Sequence, residues 1–485
     1  MQSSSLALVV DLDGTLIRTD LLVESANRWL IEHPLGLGRL ALSLLQGRAS
    51  LKAWLADVAA PEVEGLPFNT DLLAWLQTQK QAGRRIVLAT ASHERLAHAV
   101  VAHLNQSLAT PLLDEVLATQ GEVNLKSQAK RDALVAQFGE RGFEYVGNDR
   151  ADLAVWASAA LAHVVSDDTA WVTRLRQQFQ VGEVFSTGRL SPWRALLKAL
   201  RLHQWAKNLL VFVPLLAAHV YGDATLVAQA GLAFVAFGLA ASSVYVLNDL
   251  ADVQDDRHHA RKRHRPFAGG HLSLLHGWLL WPGLLLCSAL LVWQTLPTMF
   301  AWVLASYVLI TTLYSLWLKQ WAVVDVLTLA WLYTMRIIGG AVAIGVPMSF
   351  WLLLFSMFIF LSLALIKRYS ELKVARDSGH AGLLRGRGYA ADDLELVASL
   401  GGSAGFISVL VLALYIQDAH TAQLYLSPEV IWVLCPVMLF WISRAWLIAH
   451  RGQMHDDPIV FALKDRVSWG VAALMALVLA LARLV

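Results

Sequence analysis

From about residue 207 to the C-terminus, long apolar segments follow one another with little polar relief, and this constrains the chain more than any other feature. Nine candidates lie near 207–222, 225–247, 275–295, 298–317, 321–345, 349–366, 397–416, 429–449 and 467–484. Most reach the ~20 residues that an α-helix needs to cross a hydrocarbon layer of about 30 Å. The first is short and is expected to lie partly in the interface. Backbone in lipid must satisfy its own hydrogen bonds, so the pattern predicts an all-α polytopic membrane domain over 207–485 with about nine transmembrane helices. Composition agrees: 56% of residues are hydrophobic and 16% charged, outside the range of ordinary soluble domains. The 19 Trp suit indole rings at membrane interfaces.

Charge along the chain predicts an orientation. Alternate connections hold Arg257, Arg261, Lys262, Arg263 and Arg265; Lys319; Lys367, Arg368, Lys373 and Arg376; and Arg451, Lys464 and Arg466. The intervening loops near 220–226, 295–299, 345–350 and 416–429 contain no Lys or Arg. The positive-inside rule then places the basic loops, and the N-terminal region with them, in the cytoplasm. The expected location is a bacterial inner membrane.

Residues 1–190 read differently. Short apolar runs at Leu6–Val10, Arg85–Ala89 and Phe143–Val146 alternate with helical patterns, which predicts a Rossmann-like α/β domain around a parallel sheet. The stretch from about 20 to 80 is helical in pattern and reads as an inserted cap, and 191–206 reads as a juxtamembrane linker. The opening MQSSSLALVVDLDG lacks a basic leader and reads as a buried strand rather than a signal peptide. Cys287 and Cys435 both sit in apolar runs, so no disulfide framework is expected.

Asp11 and Asp13 follow directly on the first strand. Two carboxylates at i and i+2 on a strand end can divide labour, one attacking phosphorus and the other handling the leaving-group proton, with Mg²⁺ neutralising the phosphate. Four ordered stretches resemble the motifs of the haloacid dehalogenase (HAD) superfamily: DLDGT at 11–15, IVLATA at 86–91, NLKSQAK at 124–130 and GNDRAD at 147–152. The resemblance implies Asp11 as nucleophile, Asp13 as acid/base, Thr90 as a phosphate-binding hydroxyl and Lys126 as the phosphate-pairing lysine, with Lys130 the fallback. It also implies Asn148 and Asp152 at the metal, beside Asp11 and Asp13. Asn148 stands where an acid is usual, and Asp149 could substitute by a one-residue shift. Two readings stay open, a working phosphatase and a domain kept for binding or structure.

In the membrane half, Asp249, Asp252 and Asp256 sit at i, i+3 and i+7, which on a continuous helix share one face. Three carboxylates facing one way call for cations between them, and such oxygen sets suit Mg²⁺ holding a diphosphate. The basic run 257–265 follows at once, with Lys262 and Arg265 expected to hold substrate phosphates. The stretch NDLADVQDD, 248–256, is similar to the NDxxDxxxD motif of the UbiA superfamily, whose members act on prenyl lipids with Mg²⁺. Within that superfamily the likeness is to decaprenyl-phosphate phosphoribosyltransferases, carried by RLHQWAKNLLVFVP (201–214), the 248–266 stretch, YSLWLK (314–319) and KRYSEL (367–372).

This resemblance implies phosphoribosyl diphosphate and a polyprenyl phosphate as substrates. It also implies Lys207, Asn208, Asn248, Tyr314, Lys319, Lys367 and Glu371 as binding residues beside the aspartates. Arg336 lies deep in an apolar segment, where an ionised side chain is costly, and is expected to face a polar cavity, a phosphate or an acidic partner. The lipid bilayer is the expected surrounding and no nucleic-acid partner is expected. An aromatic prenyltransferase and a transporter with a regulatory phosphatase are the rival functions.

Overall fold

The computed structural model describes residues 6–108, 110–120, 124–379, 382–383, 387–417, 425–454 and 457–484. The chain forms two compact units, one of residues 1–200 with 245–281, the other of 201–244 with 282–485.

The first unit is built on six parallel strands in the order β3-β2-β1-β4-β5-β6. They are β1 Ala7–Val10, β2 Ile86–His93, β3 Glu115–Thr119, β4 Phe143–Gly147, β5 Leu161–Val165 and β6 Val181–Phe185. Val10 pairs with Leu88 on one side and Val146 on the other, so β1 is central. Connections leave β1 toward both edges, and the crevice at the carboxyl ends of such strands is where α/β sheets bind ligands. The three strands expected from sequence are present. β3, β5 and β6 add to them; β3 and β6 lie at the sheet edges and are only partly buried, so their apolar signal is weak.

Three helices, α1 (Leu21–Glu32), α2 (Leu37–Leu45) and α3 (Arg48–Val58), form a cap with its own small core of Trp29, Leu30, Leu51, Leu55 and Ala59. Asp20 starts α1 by accepting the N–H groups of Leu22 and Val23. The next helix, Thr70–Gln81, instead buries Leu72 and Leu76 in the core of the sheet.

Residues 245–281 complete this unit. Arg257 makes a two-pronged ion pair with buried Glu24 of α1, at 3.0 and 2.6 Å. Asn27 donates to the Leu250 carbonyl at 3.0 Å and accepts from Trp278 Nε1 at 3.0 Å.

Among the described residues, eight helices are long and apolar enough to cross a membrane: Ala224–Ala251, Leu274–Thr295, Thr298–Leu316, Val324–Ile344, Phe350–Asp377, Ala391–Gln417, Pro428–His450 and Arg466–Arg483. The expected count of nine is not reached, because 207–222 does not form a spanning helix. It is a 3-10 segment, Leu202–Phe212, followed by the short helix Val213–Ala217, with left-handed backbone at Arg201 and His219. The segment packs tightly on helix Val324–Ile344, where a Cβ on Gly340 would lie 2.1 Å from the Val211 carbonyl oxygen. A side chain there would push the segment away.

Candidate active sites

Asp11 and Asp13 emerge at the carboxyl end of β1, in the crevice. Asp11 Oδ1 accepts from Lys130 Nζ at 2.7 Å, and the same ammonium reaches Tyr145 Oη at 3.0 Å. Lys130 therefore takes the place expected for Lys126, which is exposed. The reason is register: Lys130 lies on the inward face of helix Gln128–Phe138, whereas Lys126 precedes the helix. Asp13 Oδ1 accepts the Leu21 N–H at 2.9 Å, and its Oδ2 accepts from Ser92 Oγ at 2.7 Å and Thr90 Oγ1 at 3.3 Å. Burial, against the pull of Lys130, lifts the Asp11 carboxyl to about 6. Burial with Asp20 and Asp11 nearby lifts Asp13 to about 7.

Of the metal set expected here, Asp152 lies within electrostatic reach of Asp11, but its oxygens are already engaged. Asp152 spends Oδ1 on the Tyr145 hydroxyl at 2.8 Å and Oδ2 on the N–H groups of Asn148 and Asp149 at 2.9 and 3.0 Å. It anchors the loop instead of presenting an open ligand. Asn148 accepts from Thr15 Oγ1 at 3.1 Å. Its amide lies over Gly14, whose φ of +76° and absent Cβ (2.4 Å from Asn148 Nδ2 if present) permit the approach.

In the 245–281 stretch, helix Ala224–Ala251 ends before Asp252, and Val253–His258 continues from it. The Asp252 N–H still bonds the Asn248 carbonyl, and the Asp256 N–H bonds that of Asp252, at 2.9 and 2.8 Å. Asp249 and Asp256 are buried and converge on one cation: Arg265 Nη1 lies 3.1 Å from Asp249 Oδ1 and 2.6 Å from Asp256 Oδ2. Asp252 turns aside and accepts from Asn248 Nδ2 at 3.1 Å. Among the described residues, no three His, Cys, Asp or Glu side chains are grouped as a metal site. Burial raises the Asp256 carboxyl, with Arg265 opposing it. Lys262 is exposed on the turn between.

The second unit gathers cations. Lys207 pairs with Asp457, the N-cap of helix Pro458–Lys464. Lys367 lies within electrostatic reach of both. Burial works to raise the Asp457 carboxyl, but Lys207 and Lys367 hold it below the ordinary range. Arg201, Lys207 and Lys464 surround His203 and, together with burial, depress its imidazole. Arg336 is buried and satisfied, donating to Asn208 Oδ1 at 2.9 Å, Tyr307 Oη at 2.8 Å and the Leu332 carbonyl at 2.6 Å. It fastens the 3-10 segment that carries Lys207 to helix Val324–Ile344. Arg368 pairs with Asp325 at 2.6 Å and also with Glu371. Tyr314 accepts from Arg387 at 3.2 Å, and Lys319 is half-buried on the turn after helix Thr298–Leu316.

The model of the UbiA prenyltransferase family matches residues 209–464, more than half of the chain. The chain belongs to the UbiA prenyltransferase family. It is thus an integral membrane transferase acting on polyprenyl lipids. It is 36% identical to the uncharacterized protein y4nM of Sinorhizobium fredii over 97% of this chain and 90% of that one, so both units have counterparts there. It is 34% identical to the decaprenyl-phosphate phosphoribosyltransferase of Mycolicibacterium smegmatis over 56% of this chain and 87% of that enzyme. A solved UbiA homolog from Archaeoglobus fulgidus, bound to GPP and Mg²⁺, aligns with TM-score 0.45 and 16% identity, covering 59% of this chain and 97% of that chain.

A divalent cation fits the acidic stretch of this UbiA chain. Two buried carboxylates already face one positive group, and Asp256 Oδ1 is buried without a hydrogen-bond partner. Asp249 and Asp256 would hold the ion, with Asn248 and Asp252 adjoining. Sequence reasoning missed Asp457, Arg387, Glu24 and Ser92. Only the position of Asp457 before a proline at a helix start was a readable signal.

Proposed function

We propose that the membrane unit transfers 5-phosphoribosyl from phosphoribosyl diphosphate to a polyprenyl phosphate, and that the N-terminal unit is a HAD-type phosphatase removing the 5-phosphate from the lipid-linked product. The cation cluster carries the first half: Lys207 pairs with Asp457, Lys367 lies within electrostatic reach of both, and Arg201 and Lys464 are close by. An excess of cations over carboxylates suits phosphates better than an aromatic acid. The similarity to the mycobacterial phosphoribosyltransferase supports the same choice.

In this reading a lipid-phosphate oxygen bonds to C1 of the ribose while the C1–O bond to diphosphate breaks, and the electron pair leaves with the diphosphate. Lys262 and Arg265 bind the leaving diphosphate, with Tyr314 and Lys319 on further phosphate oxygens. Lys207, Asn208 and Lys367 hold the lipid phosphate, and Glu371, one helical turn beyond Lys367, orients that lysine. A divalent ion, expected to be Mg²⁺, supplies charge neutralisation for the leaving group when bound. In the N-terminal pocket, Asp11 bonds to phosphorus, the P–O bond to the sugar breaks, and the departing oxygen takes the proton of Asp13. Water then hydrolyses the acyl phosphate. Lys130 keeps Asp11 ionised, and the pocket lies on the cytoplasmic side.

Purified full-length protein given labelled phosphoribosyl diphosphate, polyprenyl phosphate and Mg²⁺ tests both halves by mass spectrometry of the lipid. Ribosyl lipid is expected from the native chain and phosphoribosyl lipid from Asp11→Asn. Label excluded from the lipid, together with prenylation of 4-hydroxybenzoate from polyprenyl diphosphate, sinks the first half. Identical products from both chains sink the second.

A further inference from the structure

Helix α2 is inside out for a protein surface in water. Its sequence is LGRLALSLL, and its one fully buried residue is Ser43. Leu42 and Leu45 are 63% and 84% exposed, and Leu35, just before the helix, is 99% exposed. Leu37 and Leu44 are exposed as well. An amphipathic helix in water buries its leucines and shows its serine; contiguous exposed leucines mark a surface that something apolar covers.

The position of α2 says what that is. Leu40, on its inner side, packs on the cap core together with Trp278. Trp278 belongs to helix Leu274–Thr295, long and apolar enough to span a membrane, whose Leu275 and Leu279 are also exposed. The cap is therefore seated on the first turns of a helix long and apolar enough to span a membrane. Charge agrees with an anionic lipid surface: no acidic residue occurs between Glu32 and Asp57, while Arg39 and Arg48 flank the leucines. Arg39 lies over the indole rings of Trp29 and Trp54, at 5.8 and 5.3 Å from their centroids, a pairing common where headgroups meet acyl chains.

We propose that α2 is a lipid-docking helix whose leucine face lies in the headgroup–acyl boundary of a bilayer containing anionic lipid. The cap is then held at the membrane surface. α3 follows α2 directly, and its Lys52 reaches the Ala91 carbonyl and Asn124 Oδ1 at the rim of the Asp13 pocket, at 2.5 and 2.8 Å. The pocket thus meets phosphate groups carried by lipid. The docking stands whichever transfer reaction the membrane unit performs.

The test uses full-length protein in vesicles of phosphatidylcholine and phosphatidylglycerol, with Cys287 and Cys435 replaced by alanine. Nitroxide labels go on single cysteines at Leu35, Leu42 or Leu45, and on a control cysteine at exposed Asp132. Relaxation by oxygen relative to a water-soluble nickel chelate is expected to be about tenfold higher at the leucine positions than at the control. Equal ratios at all four positions overturn the proposal. Strong spin–spin broadening at Leu42 or Leu45 overturns it too, since it places a second copy of the chain on this face. The labelled positions lie on exposed surface, outside the cap core, so the fold tolerates labels there.

Discussion

Two carboxylate sites of the first unit each hold a buried aspartate against a cation, Asp11 in one and Asp249 with Asp256 in the other, and they differ in where that cation comes from. Asp11 is met by Lys130, 119 residues away, from a helix across the sheet. Asp249 and Asp256 are met by Arg265, only 16 and 9 residues on, from the turn that follows them. A cation delivered by the packed core is fixed in place, whereas one on a short turn can leave when a stronger cation arrives. The first arrangement suits a nucleophile that must stay ionised; the second suits a pair that exchanges an arginine for a metal ion and its diphosphate.

Removing Asp11, the proposed nucleophile, gives the largest expected effect. Asp11→Asn should lower phosphate release from phosphoribosyl lipid by about a thousandfold or more while transfer continues; parallel loss of both activities breaks the division of labour. Asp256→Asn should lower transfer turnover by about a hundredfold and weaken the Mg²⁺ dependence, leaving phosphate release intact. Glu24→Gln strands Arg257 without its buried partner, which should cost about 3 kcal/mol of stability in a thermal melt of the full chain.

The pH profile separates the two sites more gently. Asp11 must be ionised and so acts above about 6, and Asp13 must carry a proton and so acts below about 7. Phosphatase kcat/KM should therefore peak between them and fall about tenfold per pH unit on either side. A flat profile from pH 5 to 8 removes Asp13 as the acid. The smallest effect is expected at Lys126: Lys126→Met should shift stability by less than about 0.5 kcal/mol and leave phosphate release unchanged, as an exposed lysine allows.

How far sequence could see follows the same division. The aspartates of both sites and Arg265 were legible because each sits within a few turns of its motif, and the parallel sheet followed from its buried apolar runs. Choosing Lys126 over Lys130 required knowing where a helix begins and which face it turns inward, and one turn of error exchanges an exposed lysine for a buried one. The i, i+3, i+7 spacing of Asp249, Asp252 and Asp256 predicted a shared face, but the helix is interrupted at Asp252, whose carboxylate goes to Asn248. The 207–222 run was apolar enough to suggest a crossing, yet buried Asn208 ties it to helix Val324–Ile344 through Arg336, and buried Lys207 to the start of helix Pro458–Lys464 through Asp457. Such partners lie far apart in the chain, so no local pattern announces them.

The ion pair of Glu24 with Arg257 also sets an order of events during synthesis. Glu24 leaves the ribosome 233 residues before its partner. At elongation rates of about 5–20 residues per second, that is a wait of roughly ten to fifty seconds. Helix Ala224–Ala251, long and apolar enough to cross a membrane, is completed just before the arginine is made, so the pair forms only after that helix exists. The first-made unit is thereby finished only after part of the second has been made.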